Sequence, residues 1–252
     1  MADYLQYLVL IAAGFAAGII NTIAGGGSFL TLPALMWFGL DPKLANGTNR
    51  VAVLFSSASA TATFNKHGHL DRQLAIKLTI PILLGVPVGA LLAIYLPAQT
   101  FEAFFGAIFL LMAGLLAFNP RRLIDTEHKS VKPPSVTMPV FFVIGIYVGF
   151  IQAGMGILLL LAMSLLNTGD LVASNGIKNL IGLLVTLAAT VIFAVHGLID
   201  WLPGLIMAVG NVAGGVVGAK LAIKKGNRMI FGFLLVVMIA TGCKLIYSSF
   251  VG

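Results

Sequence analysis

Apolar residues run along this chain in blocks, at 4–20, 28–38, 47–65, 74–96, 101–118, 138–151, 156–166, 174–195, 201–222 and 229–248. Six of these blocks are long enough, at about 1.5 Å of helical rise per residue, to cross roughly 30 Å of hydrocarbon. The other four form two pairs, 4–20 with 28–38 and 138–151 with 156–166. One straight helix over 4–38 would reach about 50 Å, too far without severe tilt. It is also interrupted by Asn21-Thr22-Ile23-Ala24-Gly25-Gly26-Gly27, as the second pair is by Phe150-Ile151-Gln152-Ala153-Gly154-Met155-Gly156. Each pair is predicted to break at its glycines and turn back toward its starting side. Backbone freed from helical bonding at membrane depth is tolerated only against protein or a polar cavity, so the breaks predict a lined cavity.

Composition supports the membrane class. Of 252 residues, 59% are hydrophobic and 9% charged, against about 25% charged in ordinary soluble domains. The expected fold is therefore an all-α polytopic membrane protein. The opening MADYLQYLVL lacks the basic region of a signal peptide, so the first apolar block is expected to be retained. The single cysteine, Cys243, supports neither an intramolecular disulfide nor a cysteine metal cluster.

An internal repeat sharpens the organisation. Gly14, Gly18 and Gly25 precede Gly145, Gly149 and Gly156 by 131 positions. The offset then becomes 129, pairing Asn46-Gly47 with Asn175-Gly176, His67-Gly68 with His196-Gly197, Asp71 with Asp200, and Gly85 and Gly89 with Gly214 and Gly218. The halves are read as 1–119 and 139–252, joined by a polar linker at 120–138. That linker carries Arg121, Arg122, Lys129 and Lys132, which places it in the cytoplasm by the positive-inside rule. Traced from there, the turn with Lys66 and Arg72 falls inside, the 196–200 turn outside, and the turn with Lys220, Lys224, Lys225 and Arg228 inside. Most of the fifteen basic residues then face the cytoplasm. The second half is consequently reversed, giving an inverted internal repeat with broken, Gly-rich short helix pairs, an architecture associated with alternating access.

Candidate chemistry follows from the breaks. Broken helices bring amides and positive helix ends toward the bilayer middle, where an anion can be held. Asn21, Gly25, Gly26 and Gly27 on one side, with Gln152, Gly154 and Gly156 on the other, are expected to bracket such a site; Thr22, Ser28 and Thr31 add donors. Close packing of small residues also accounts for many glycines, though not for breaks flanked by polar residues. Gly25–Gly27 is not a phosphate loop, because GGGS lacks the Lys and the strand-to-helix context.

Asn46-Gly47-Thr48-Asn49-Arg50 and Asn175-Gly176-Ile177-Lys178-Asn179 stand at the starts of apolar spans. Asn46 and Asn175 are expected to cap those helices, and Arg50 and Lys178 to supply positive potential, unless they snorkel to the interface. Asn49, Asn179 and the midspan Asn211 are further candidates, Asn211 equally suited to bonding across helices. The His67–Asp71 and His196–Asp200 pairs fit turn and cap geometry better than proton transfer. No metal or cofactor is implied. The basic loops are explained by orientation, and without aromatic interleaving nucleic acid is not an expected partner.

In Gly14, Gly18, Asn21, Gly25–Gly27 and Pro33, then Gly145, Gly149, Gly154 and Gly156, and in the paired Asn-Gly and His-Gly motifs, the chain resembles the TauE/SafE family of sulfite exporters. The second copy departs from the first in having Gly154-Met155-Gly156 for a glycine triplet and no counterpart to Pro33. The resemblance implies secondary transport of a small sulfur-containing anion, sulfite or an organosulfonate such as sulfoacetate, across a prokaryotic plasma membrane. It also implies drive by the proton-motive force, for which the sparse acids within the spans offer no carrier. The expectation is thus a multi-pass transporter among membrane lipids, not an enzyme. An intramembrane enzyme or an inert, glycine-packed scaffold are the alternatives.

Overall fold

The structure, a computed structural model, describes residues 2–117, 133–165 and 171–224, together with positions 239, 243, 246 and 247. The centre of the linker and most of the block at 229–248 lie outside the described residues, as do Lys225 and Arg228. The described elements are all helical: α1 (Ala2–Ile23), α2 (Ser28–Trp37), α3 (Pro42–Lys66), α4 (Arg72–Tyr95), α5 (Ala98–Ala117), α6 (Pro134–Phe150), α7 (Met155–Leu165), α8 (Leu171–Val195) and α9 (Trp201–Lys224).

Four of them are long and apolar enough to cross a membrane: Tyr4–Ile23 in α1, Arg72–Tyr95 in α4, Ala173–Val195 in α8 and Trp201–Ile223 in α9. The protein is thus an all-α, multi-pass membrane protein. Helix α1 differs from the expected short arm. It continues through Asn21 and Thr22 for 22 residues, because both residues are buried and their carbonyls are engaged by another helix.

Helix α3 departs from expectation in the other direction. Its 25 residues would span, but Asn46, Asn49, Arg50, Ser56, Ser57 and Thr63 are all buried along it. Phe55 is its only large hydrophobic residue exposed on the surface. A helix this polar belongs inside a bundle, with its neighbours facing lipid instead. It packs against α8, α9 and α2. The outward faces of α4 and α9 are correspondingly apolar, with Ile76, Ile80, Leu84 and Leu92 on one and Leu202, Leu205 and Val209 on the other.

The start of α3 also corrects the capping expectation. Asp41 accepts hydrogen bonds from the amides of Lys43 (3.0 Å) and Leu44 (3.1 Å), with Pro42 in the first helical position. Asp-Pro is a stronger start signal than Asn46, which therefore lies inside the helix. Asn175 is likewise interior to α8. Asp71 does behave as a cap, accepting from the Leu74 amide at 2.9 Å.

Two seams hold the bundle together. In one, α1 lies against α9, and a methyl group on Gly18 would sit 2.6 Å from the Asn211 carbonyl oxygen; on Gly214 it would sit 2.2 Å from that of Phe15. In the other, α4 lies against α6, where a methyl on Gly145 would meet the Ile82 carbonyl oxygen at 2.2 Å and one on Gly85 that of Phe142 at 2.3 Å. Only glycine allows backbones this close, the small-residue packing expected of membrane helices. The His-Gly turns also approach the opposite long helix: Gly176 abuts the His69 carbonyl, and Gly47 that of Leu198.

Candidate anion site at the meeting of two helix breaks

Helix α1 ends at Ile23 and α2 begins at Ser28; α6 ends at Phe150 and α7 begins at Met155. Gly25 (φ 83°) and Gly154 (φ 75°) occupy the left-handed region, which lets each chain leave one axis and start another. The two turns touch. The Gly156 amide donates to the Gly25 carbonyl at 3.3 Å, and a side chain on Gly25 would lie 2.1 Å from the Gly156 Cα. Two glycines widely separated in sequence are therefore required at one crossing point.

Every helix end at this crossing leaves backbone groups unpaired unless something outside the helix meets them. The carbonyl ends are met. Lys178 Nζ, from α8, donates to the carbonyls of Asn21 (3.0 Å) and Thr22 (2.7 Å) at the end of α1, and to Asn175 Oδ1 at 2.8 Å. Arg50, from α3, serves the end of α6 in the same manner, donating from Nη1 to the Val148 carbonyl (3.2 Å) and from Nη2 to that of Gly149 (2.7 Å). Asn46 Nδ2 adds a bond to the Phe150 carbonyl at 2.9 Å. A cation at a helix C-terminus offsets the negative end of the helix dipole.

The amide ends are not met. The N–H groups of Gly26, Gly27 and Ser28 ahead of α2, and of Gln152, Ala153 and Gly154 ahead of α7, find no acceptor among the described residues. All six residues are buried. Buried amides without acceptors are rare in folded proteins, and two clusters at adjoining positive helix ends form a concentrated set of anion-oriented donors.

Side chains frame the clusters. Asn49 Nδ2 donates to Ser28 Oγ at 3.0 Å and its Oδ1 accepts from Thr31 Oγ1 at 2.5 Å, tying α3 to the start of α2. Gln152 Oε1 accepts from Arg50 Nη1 at 3.4 Å, while its Nε2 donates to Thr186 Oγ1 on α8. The Arg50 guanidinium also lies over the Phe193 ring, 4.3 Å from the centroid. Arg50 Nε, Thr22 Oγ1 and Asn46 Oδ1 are buried with no hydrogen-bond partner among the described residues.

Asn21, Gly25–Gly27, Asn49, Arg50, Gln152, Gly154, Gly156 and Lys178 thus come together around the crossing. Asn179 is buried on α8 but spends its side-chain amide on the Asn175 carbonyl at 2.8 Å. Asn211 lies in the α1–α9 seam and bonds within its own helix, to the Met207 carbonyl at 3.4 Å. His67 and His196 stand apart at helix ends, each with Nδ1 2.8 Å from the carbonyl four residues earlier, Thr63 and Ile192. Thr186 was not singled out in the sequence, although it lies eight positions after Lys178, about two helical turns along the same face. Among the described residues no group of three or more His, Cys, Asp or Glu could hold a metal ion.

Residues 10–245 match the family model described as "Sulfite exporter TauE/SafE". A "probable membrane transporter protein ORF9" of Sinorhizobium is 29% identical over 94% of this chain and 91% of its own length. A probable membrane transporter protein of Haemophilus influenzae is 26% identical over 96% of this chain and 94% of its own. The "probable membrane transporter protein YunE" of Bacillus subtilis is 25% identical over 97% and 99% respectively.

Proposed function

The chain belongs to the TauE/SafE sulfite exporter family of membrane transporters, and from that premise we propose that it is a secondary transporter that exports or exchanges small sulfur-containing anions by alternating access. Sulfite and organosulfonates are the substrate class. The observation that carries this reading is the pair of acceptor-free amide clusters, Gly26 to Ser28 and Gln152 to Gly154, adjoining at the Gly25–Gly156 contact. An oxyanion headgroup presents several acceptors to such clusters and needs no side-chain charge to neutralise it. Asn21, Asn49 and Gln152 give the site its polar rim. Arg50 and Lys178 supply positive potential from behind, and Asn179 and Asn211 are outer candidates.

Alternating access finds support in how the halves interlock. In the α1–α9 seam Gly18 meets Asn211 and Gly214 meets Phe15; in the α4–α6 seam Gly145 meets Ile82 and Gly85 meets Phe142. These contacts map onto each other when α1 is matched to α6 at an offset of 127 and α4 to α9 at 129. The carbonyls that the two cations meet obey the 127 offset, Asn21 and Thr22 answering to Val148 and Gly149, while Arg50 and Lys178 themselves stand 128 apart. The register of the first segment is therefore one helical turn, four residues, from the 131 read off the glycines. We read this as two inverted halves, 1–119 and 139–252, joined through a cytoplasmic linker at 120–138, in the plasma membrane of a prokaryote. Each half contributes one seam helix to the other, and no covalent step is required.

The test is counterflow in proteoliposomes, screening sulfite, sulfoacetate, thiosulfate, sulfate and carboxylates. Saturable flux of a sulfur oxyanion is expected. An enzyme or an inert scaffold would show no anion flux under any imposed gradient, and that result would overturn the reading.

A further inference from the structure

Transport against a gradient by a secondary carrier needs a second ion, and for a proton it needs a group that can lose and regain one inside the bundle. The candidates among the described residues are few. Asp41, Asp71 and Asp200 lie just ahead of helices, and Asp3 and Glu102 near the starts of α1 and α5. His67 and His196 are exposed at turns, and His69, half-buried in the turn after α3, approaches α8 through its backbone carbonyl at Gly176. Arg50 and Lys178 are the only charged residues buried among the described residues. Of these two, arginine keeps its proton under all physiological conditions and lysine does not.

The surroundings of Lys178 fit the role. Its three ammonium protons meet three oxygens, the carbonyls of Asn21 and Thr22 on α1 and Asn175 Oδ1 on α8. Two of those oxygens belong to the end of a helix that leads straight into a glycine turn, so they leave together if α1 moves relative to α8. Among the described residues no acidic side chain stands on the helices around Lys178 to replace them, Asp3 being at the opposite end of α1 from Asn21. Helices α2, α6 and α7 carry no charged residue, α8 carries no other, α3 brings Arg50 between Lys43 and Lys66 at its ends, α4 carries Arg72 and Lys77 in its first two turns, and α9 carries Lys220 and Lys224 near its end. An ammonium stripped of its acceptors in a water-poor interior is disfavoured relative to the neutral amine.

Resting on the transport reading above, we propose that Lys178 is the proton-carrying residue of the cycle, holding its proton while α1 is docked and releasing it when the Asn21 and Thr22 carbonyls depart. On release one N–H bond breaks, its electron pair stays on Nζ, and the proton passes to water in the open half. Redocking requires the ammonium, because an amine offers two donors and a lone pair to three oxygens. The ammonium lies behind the amide clusters, its side chain passing Gly156, so proton and anion favour each other's binding and cross together, outward when the internal anion is in excess and inward when the proton gradient dominates.

Proteoliposomes carrying a lumenal pH dye, with the membrane potential clamped, report both fluxes when driven by sulfoacetate, which stays ionised across the neutral range. Wild type moves protons with the anion. In K178R the proton-to-anion ratio falls by about tenfold or more, because a guanidinium does not release its proton. Any residual anion flux in K178Q is likewise unaccompanied by protons, which keeps the test intact if K178R does not fold. Proton flux in either variant at the wild-type ratio overturns the proposal. A substrate-free measurement separates this outcome from failure of the transport reading: in nanodiscs, the lysine 15Nζ resonance that K178Q removes should convert between ammonium and amine as pH is raised. A resonance that stays ammonium throughout overturns the assignment even if sulfoacetate is transported, and conversion without any anion flux sinks the transport reading alone.

Discussion

Arg50 and Lys178 show how far a residue's identity can be read and where its role depends on its neighbours. Their positions in otherwise apolar surroundings mark them in the sequence, and both prove buried. Their immediate partners are backbone carbonyls at helix ends, which no side-chain pattern encodes. Removing either charge uncovers two carbonyls at once. Hydrogen bonds to charged groups contribute about 1.5–3 kcal/mol each, so Arg50→Ala and Lys178→Ala should each lower folding stability by about 3 kcal/mol, read as loss of thermal stability in detergent. Arg50→Lys should recover only part of this, because an ammonium cannot reproduce the fork that spans Val148, Gly149 and Gln152. Unchanged stability in Arg50→Ala would show that the carbonyls find other donors.

The elements were legible where hydropathy and turn chemistry agree. Helices α4, α8 and α9 stand where their apolar blocks do, and Asp71 caps α4 as its position suggests. The start of α3 is hidden because Asp41-Pro42 stands four residues, Lys43 to Asn46, ahead of its apolar block, and its burial inside the bundle because that block at 47–65 counts its serines and threonines within an apolar run. In the proposed repeat the seam contacts favour a register one turn from that of the glycines, because glycines recur at helical spacing along both α1 and α6 and sequence matching alone does not choose between adjacent turns. Gly145→Ala and Gly18→Ala should therefore disrupt their seams comparably, each costing more than about 2 kcal/mol through forced separation of the helices. Gly114→Ala on α5, whose methyl group would meet nothing within 4 Å, should be neutral or stabilising by up to about 1 kcal/mol. Thermal denaturation of the three variants decides the comparison, and equal effects at Gly114 and Gly145 would refute the seam assignment.

For the whole molecule, inversion predicts opposite sidedness for matched turns. His67 and His196 are both exposed and have the same local geometry, yet they should face different compartments. In a Cys243→Ala background, a membrane-impermeant maleimide applied to intact cells should label His196→Cys and leave His67→Cys unlabelled until the membrane is opened. Labelling of both from one side would remove the inverted reading. In the sequence, the expectation of inversion rests on the charge of the loops and the 129-residue offset. The candidate site was legible only as a place, because the free amides that distinguish it arise from where α2 and α7 begin.

The exchange of helix-end partners also bears on how the chain is made. The first half leaves the ribosome with α1 ending in carbonyls whose donor, Lys178, has not yet been synthesised, and with Arg50 awaiting carbonyls of α6. An N-terminal fragment on its own should consequently be a substrate for quality-control proteolysis, while the same fragment co-expressed with its C-terminal complement, cut within 118–132, should accumulate as a stable pair. Biogenesis is then a matter of waiting, with the early helices held in the membrane until their counterparts arrive.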